Sequence, residues 1–173
     1  MAINPDVYKK FVEASEKGDM HAQNTLGWAY LYMPDLLDFN LEKGIYYLEL
    51  AANQDQENAL CTLGWIYCLG EFSIKKDFKK GVKYLERSSV LGFAIASYNL
   101  GLFYYAGYES FKRDLNKAKE NWKKCYIQHP KADPQLNLDD ISKEIDSFAA
   151  KPTEEMTLLK STFLANLKKT VRN

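Results

Sequence analysis

The stretch Asn24-Thr25-Leu26-Gly27-Trp28-Ala29-Tyr30 returns as Thr62-Leu63-Gly64-Trp65-Ile66-Tyr67 and again as Asn99-Leu100-Gly101-Leu102-Phe103-Tyr104. The glycines stand at 27, 64 and 101, so each copy follows the last by 37 residues. A fixed interval of this size marks a repeat architecture, in which each unit is a pair of helices that buries its apolar face only against its neighbours. Ala22, Ala59 and Ala96 fall four residues before the leucines, and Tyr30, Tyr67 and Tyr104 four after them. Small residue, leucine and tyrosine at i, i+4 and i+8 make one buried stripe on a helix. A mid-helix glycine costs roughly 1 kcal/mol relative to alanine, so its recurrence signals the close approach of a second helix.

The punctuation recurs at the same interval. Gly70 and Gly107 align where a first helix ends in a left-handed residue, and the first repeat has Met33-Pro34 at that point. Asn40, Asp77 and Asp114 align as N-caps of second helices predicted over Leu41–Ala52, Phe78–Ser89 and Leu115–Tyr126. Gly44, Gly81 and Ala118 align as small residues at a close-packing position, and Leu48, Leu85 and Trp122 as buried ones. Gly18, Asp55 and Gly92 align at the turn into the next first helix. Backwards in the same register, Asp6–Lys17 is an unpaired helix of the second type, expected to cover one end of the stack. Forwards, the register breaks at His129-Pro130. Beyond it, Leu138, Ile141, Ile145 and Phe148 share one helical face. Met156, Leu159, Phe163, Leu167 and Val171 share another, after Thr153 as N-cap. Terminal units of such stacks are commonly atypical, so residues 135–173 are expected to be capping helices.

These patterns predict an all-α chain, an α/α superhelix of stacked antiparallel helix pairs. It has three 37-residue repeats, an N-terminal half repeat and C-terminal capping helices, all in one domain over residues 1–173 with the repeats at 5–130. The 46% hydrophobic and 27% charged content is that of a globular chain. Net charge is zero but unevenly laid out: residues 1–60 carry four Lys/Arg against ten Asp/Glu, and residues 61–130 carry twelve against six. That division could steer a charged partner, although a solvated mixed surface explains it too. A neutral whole argues against nucleic acid as partner. No run reaches the ~20 apolar residues of a membrane span, and the N-terminus lacks the basic head and apolar stretch of a secretory signal. A cytoplasmic, monomeric protein is expected. Its three cysteines are expected as free thiols, since Cys61 and Cys68 lie about 10 Å apart along one helix, too far to bridge.

Catalytic patterns are missing from the sequence. It has no glycine-rich phosphate loop, no His-Glu-x-x-His and no Cys-x-x-Cys. The expectation is therefore no enzyme, no cofactor and no metal. Asp139-Asp140 and Glu154-Glu155 suit the first turns of helices, where they complement the dipole.

With its Ala, Leu-Gly-x-x-Tyr, glycine loop, acidic cap and Lys-Gly or Lys-Ala pair (Lys43-Gly44, Lys80-Gly81, Lys117-Ala118), the chain resembles the Sel-one-like repeat family, a relative of the tetratricopeptide repeat. It departs from that pattern at Met33-Pro34, at Ser88-Ser89 and Cys125-Tyr126 in place of paired alanines, and in the C-terminal quarter. The resemblance implies a right-handed superhelix whose first helices line a concave surface. It also implies a non-catalytic protein–protein interaction role, as adaptor, scaffold or inhibitor. If Leu26 and Tyr30 face the core, Trp28 points nearly opposite, because two residues rotate a helix by about 200°. Asn24, Trp28 and Leu31 then form an outward stripe, matched by Cys61, Trp65 and Cys68 and by Tyr98, Leu102 and Tyr105, with Tyr32 alongside. Aromatic side chains along a groove suit a partner protein or peptide, unless the C-terminal helices fold back over them. One concrete version is an inhibitor or immunity protein that neutralises a toxin or effector. The alternative is a general adaptor or scaffold regulating a signalling or assembly complex. The competing class, an enzyme with an unrecognised site, has no constellation of residues in the sequence to support it.

Overall fold

Each capping residue that the 37-residue interval aligns makes two hydrogen bonds. The side chains of Asn40, Asp77 and Asp114 accept from the backbone N–H of Lys43, Lys80 and Lys117 at 2.9, 2.9 and 3.0 Å. Each cap also donates its own backbone N–H to a signature tyrosine carbonyl: Asn40 to Tyr30 at 3.1 Å, Asp77 to Tyr67 at 3.0 Å and Asp114 to Tyr104 at 2.9 Å. The second helix of every pair is thus started and anchored by one residue. Removing such a cap costs about 1 kcal/mol. Asp77→Ala is accordingly expected to lower the urea midpoint by that equivalent, with the slope unchanged.

The computed structural model describes residues 4–128 apart from residue 110, and the expected capping helices at 135–173 lie outside the described residues. Among the described residues are seven α-helices, one 3-10 turn and no strand. They are α1 (Pro5–Glu16), α2 (Met20–Tyr32), α3 (Leu41–Asn53), α4 (Glu57–Leu69), η1 (Glu71–Ser73), α5 (Phe78–Val90), α6 (Ala94–Ala106) and α7 (Leu115–Gln128). The all-α helix-pair architecture is as the sequence predicts. The chain divides into two compact units, Met1–Ala96 and Ser97–Asn173.

In the first unit α2 packs on α3, α4 on α5 and α3 on α4, with α1 against α2 as the unpaired leading helix. Tyr8 of α1 and Tyr30 of α2 bring their hydroxyls within 2.7 Å. The glycines act in pairs. A Cβ on Gly27 would sit 2.9 Å from the Gly44 carbonyl oxygen, and one on Gly81 would sit 2.6 Å from the Gly64 carbonyl oxygen. Backbone therefore meets backbone where each pair crosses. Leu48, Ala51, Ala59, Leu60, Leu63 and Ile66, all inaccessible to solvent, join α3 to α4 in one core.

The second unit contains most of α6 and all of α7. Ala118 and Trp122 stand where the first unit has glycine and leucine. The Trp122 indole lies over Gly101, and its Nε1 donates to the Tyr98 carbonyl at 3.2 Å. Tyr105, Ala118 and Trp122 form its buried cluster.

Candidate partner-binding site

The geometry of α2 and α4 separates the proposed stripe into two kinds of position. Leu31 is buried, and its side chain occupies the space where Gly44 has no Cβ. Cys68 lies over Gly81 in the same way, and Tyr105 packs with Ala118 and Trp122. These three face the second helix of their own pair. The reason is angular: each lies four residues after its glycine, only about 40° around the helix from the face that meets the second helix. Leu31, Cys68 and Tyr105 are packing residues, which corrects the outward orientation expected of them.

The other positions are less uniform. Trp28 is 2% exposed, Trp65 1% and Cys61 0%, so the expected open row of rings on the first unit is instead a buried layer. Trp28 stacks on Tyr32 with ring centroids 5.6 Å apart, and Tyr32 lies near enough to Cys61 for the two to interact electrostatically. Trp28, Tyr32 and Cys61 are therefore brought together. Asn24 and Tyr32 are half-buried. On the second unit Tyr98 keeps 37% exposure and Leu102 is half-buried.

Two residues that the repeat alignment passed over complete this neighbourhood. The Tyr32 hydroxyl donates to Glu71 Oε2 at 2.9 Å, and the Phe72 ring sits edge-on to Tyr32 at 5.3 Å and against Phe39 at 5.6 Å. Burial, then the Glu71 carboxylate, push the Tyr32 phenol well above its ordinary range. Phe72 has left-handed backbone (φ 54°), which a bulky residue adopts only when its surroundings hold it there. Glu109, one interval later, is left-handed as well (φ 56°), whereas Asp35, one interval earlier, is not, so two of the three repeats carry this bend. No residue type at those two positions announces it.

The thiols have no reactive setting. Burial raises all three: Cys61 strongly, Cys68 to about 12 and Cys125 to about 11. A raised folded-state value stabilises the fold below the unfolded thiol value and loses that contribution as pH rises towards the folded one. Stability should therefore fall between about pH 9 and about pH 12, and urea titrations at increasing pH will check it. Among the described residues no cluster of His, Cys, Asp or Glu could hold a metal ion, and no helix is long and apolar enough to cross a membrane. His21 is exposed at the start of α2, beside its N-cap Asp19.

Comparison with known proteins agrees with the repeat boundaries. The family profile described as Sel1 repeat matches residues 21–56, 58–93 and 94–124. Among solved structures, a Sel1 repeat protein from Oxalobacter formigenes is 31% identical, over 71% of this chain and 90% of that one, with a TM-score of 0.61. A protective antigen from uropathogenic Escherichia coli displaying an SLR fold is 20% identical, over 70% of this chain and 26% of that one, with a TM-score of 0.62. Helicobacter pylori cysteine rich protein B is 22% identical, over 72% of this chain and 92% of that one, with a TM-score of 0.55. The last two likenesses concern the fold alone. No curated protein matches. Three consecutive profile matches, on helix pairs that begin and end at the expected caps, make this chain a member of the Sel1 repeat family.

Proposed function

We propose that this chain is a non-catalytic module that captures a partner protein through side chains of its first helices. Sel1 repeat proteins are generally protein-interaction modules, and that is the footing of the proposal. The observation that carries it here is a division of labour along those helices. The signature leucines and glycines are buried in helix pairing, while Asn24, Tyr32, Tyr98 and Leu102 retain solvent contact. Asn24 and Tyr32 serve the first unit, and Tyr98 and Leu102 the second. Within the first unit Trp28, Cys61 and Trp65 are buried.

The role that suits such a module is inhibition: an immunity protein that holds a toxin or effector inactive. A general adaptor role is the alternative. Affinity capture from native extract with wild-type protein should yield a stoichiometric partner. Tyr98→Ala combined with Leu102→Ala should abolish capture while the helical circular dichroism stays within experimental error of wild type. Undiminished capture by that variant would remove these residues from the contact. The inhibitor reading further expects the captured protein to be toxic when expressed alone and harmless when this chain is co-expressed. An adaptor partner would be harmless in both cases.

A further inference from the structure

The repeat itself supplies an internal comparison on the exposed side of the second helices. Asp38, Phe39, Glu42 and Tyr46, at the entry and outer side of α3, align through the 37-residue interval with Lys75, Lys76, Lys79 and Lys83 at α5. All eight side chains are exposed, including Phe39 at 53% and Tyr46 at 57%. The scaffold beneath is the same in both: cap, close-packing glycine and buried leucine coincide. Yet four lysines in one repeat are replaced in the other by two carboxylates and two aromatic rings. None of these positions is buried, although the Phe39 ring rests against Phe72 at 5.6 Å and the Tyr46 ring against Tyr47 at 5.3 Å.

We infer that the α3 face formed by Asp38, Phe39, Glu42 and Tyr46 is a docking surface for a lysine- or arginine-rich segment of a partner protein. Among the described residues neither Asp38 nor Glu42 has an ion-pair partner. The neighbouring cation, Lys43, lies over the Tyr30 ring at 5.4 Å and about 100° around the helix from Glu42. Carboxylates interleaved with exposed rings attract a cationic side chain in two ways: by charge, and by the negative face of the aromatic ring. The fold already builds this second contact internally, with Lys80 at 3.7 Å from the Tyr67 ring centroid and Lys117 at 5.2 Å from that of Tyr104. Glu42 and Tyr46 lie one helical turn apart, so one cation can meet both. The α5 row of lysines repels such a segment, which confines docking to the first pair and sets its register.

This inference rests on the reading that the chain binds a protein, and its test separates the two. The probes are a short fluorescently labelled lysine/arginine peptide and its glutamate counterpart, titrated by anisotropy at low and high salt. The basic peptide should bind, weaken with salt, and bind at least about tenfold less tightly to a variant carrying Asp38→Lys, Phe39→Lys, Glu42→Lys and Tyr46→Lys. That variant gives α3 the residues its sister repeat already carries, so the scaffold is suited to them. Asp38→Asn with Glu42→Gln, which keeps both rings, should lose part of the affinity and guards against a folding failure in the first variant. Equal binding of the two peptides, or of wild type and both variants, overturns the inference. So does salt-sensitive dimerisation of the wild type in sedimentation, which would make the lysine row of a second copy the occupant. If the variants still capture the native partner, this surface fails while the protein-binding reading survives. If even wild type captures nothing, the broader reading fails instead.

Discussion

Gly81→Ala is expected to destabilise the fold by about 3 kcal/mol, although alanine is the better helix former by roughly 1 kcal/mol. The new methyl would sit 2.6 Å from the Gly64 carbonyl oxygen and 2.6 Å from the Cys68 nitrogen, both of them backbone atoms, and against the Cys68 sulfur as well. A flexible side chain could swing aside, but two helix backbones cannot, so α4 and α5 must separate along their length. Separation loosens Leu85, which is fully buried and lies over Gly64. At the homologous position of the second unit the chain carries Ala118, fully buried. Ala118→Gly should cost only about 1 kcal/mol, through helix propensity and the lost methyl. Urea denaturation of both variants measures the contrast. An unchanged or raised midpoint for Gly81→Ala would mean that the two backbones do not meet as described.

Trp65→Ala should cost about 3–5 kcal/mol, comparable to the whole stability margin of many domains. The side chain is 1% exposed, and its removal leaves a cavity on the face of α4 opposite the signature leucine. Trp28→Ala belongs to the same class, with 2% exposure and a stacked Tyr32 to lose. Loss of partner capture in either variant would therefore report unfolding and say nothing about contact. The decisive readout is thermal melting followed by circular dichroism: a large fall in Tm is expected for each, and near-wild-type melting would put the rings on an accessible face after all.

What could be read from residues alone was what the local backbone settles. A cap needs a short polar side chain at one position, and a close helix crossing needs small residues at fixed offsets. Asn40, Asp77, Gly27, Gly64 and Gly81 all fulfil those roles at the bonds and distances given above. The stripe was less legible because a helical wheel gives directions and not what lies along them. Leu31 falls about 60° from Trp28 but only about 40° from Gly27, so sequence spacing alone assigned it to the wrong neighbour. Trp28 and Trp65 do point away from Leu26 and Leu63, yet they are enclosed, and enclosure depends on contacts distant in sequence. The bend at Phe72 was invisible for another reason: left-handed backbone in a bulky residue has no compositional sign when packing imposes it.

The bond from each cap N–H back to a signature tyrosine carbonyl makes the intervening loop a closed chord across the end of the helix pair. That bond favours keeping the loop's two ends together, by the roughly 1 kcal/mol that a net hydrogen bond contributes. Loop length is thereby uncoupled from the register of the second helix, and lengthening a closed loop carries only a slowly growing entropic cost. Residues between Pro34 and Leu37 can consequently be replaced or extended with foreign sequence while Asn40 still begins α3 at the same place. The fold thus offers a site for grafting new recognition elements that leaves the stack beneath it undisturbed.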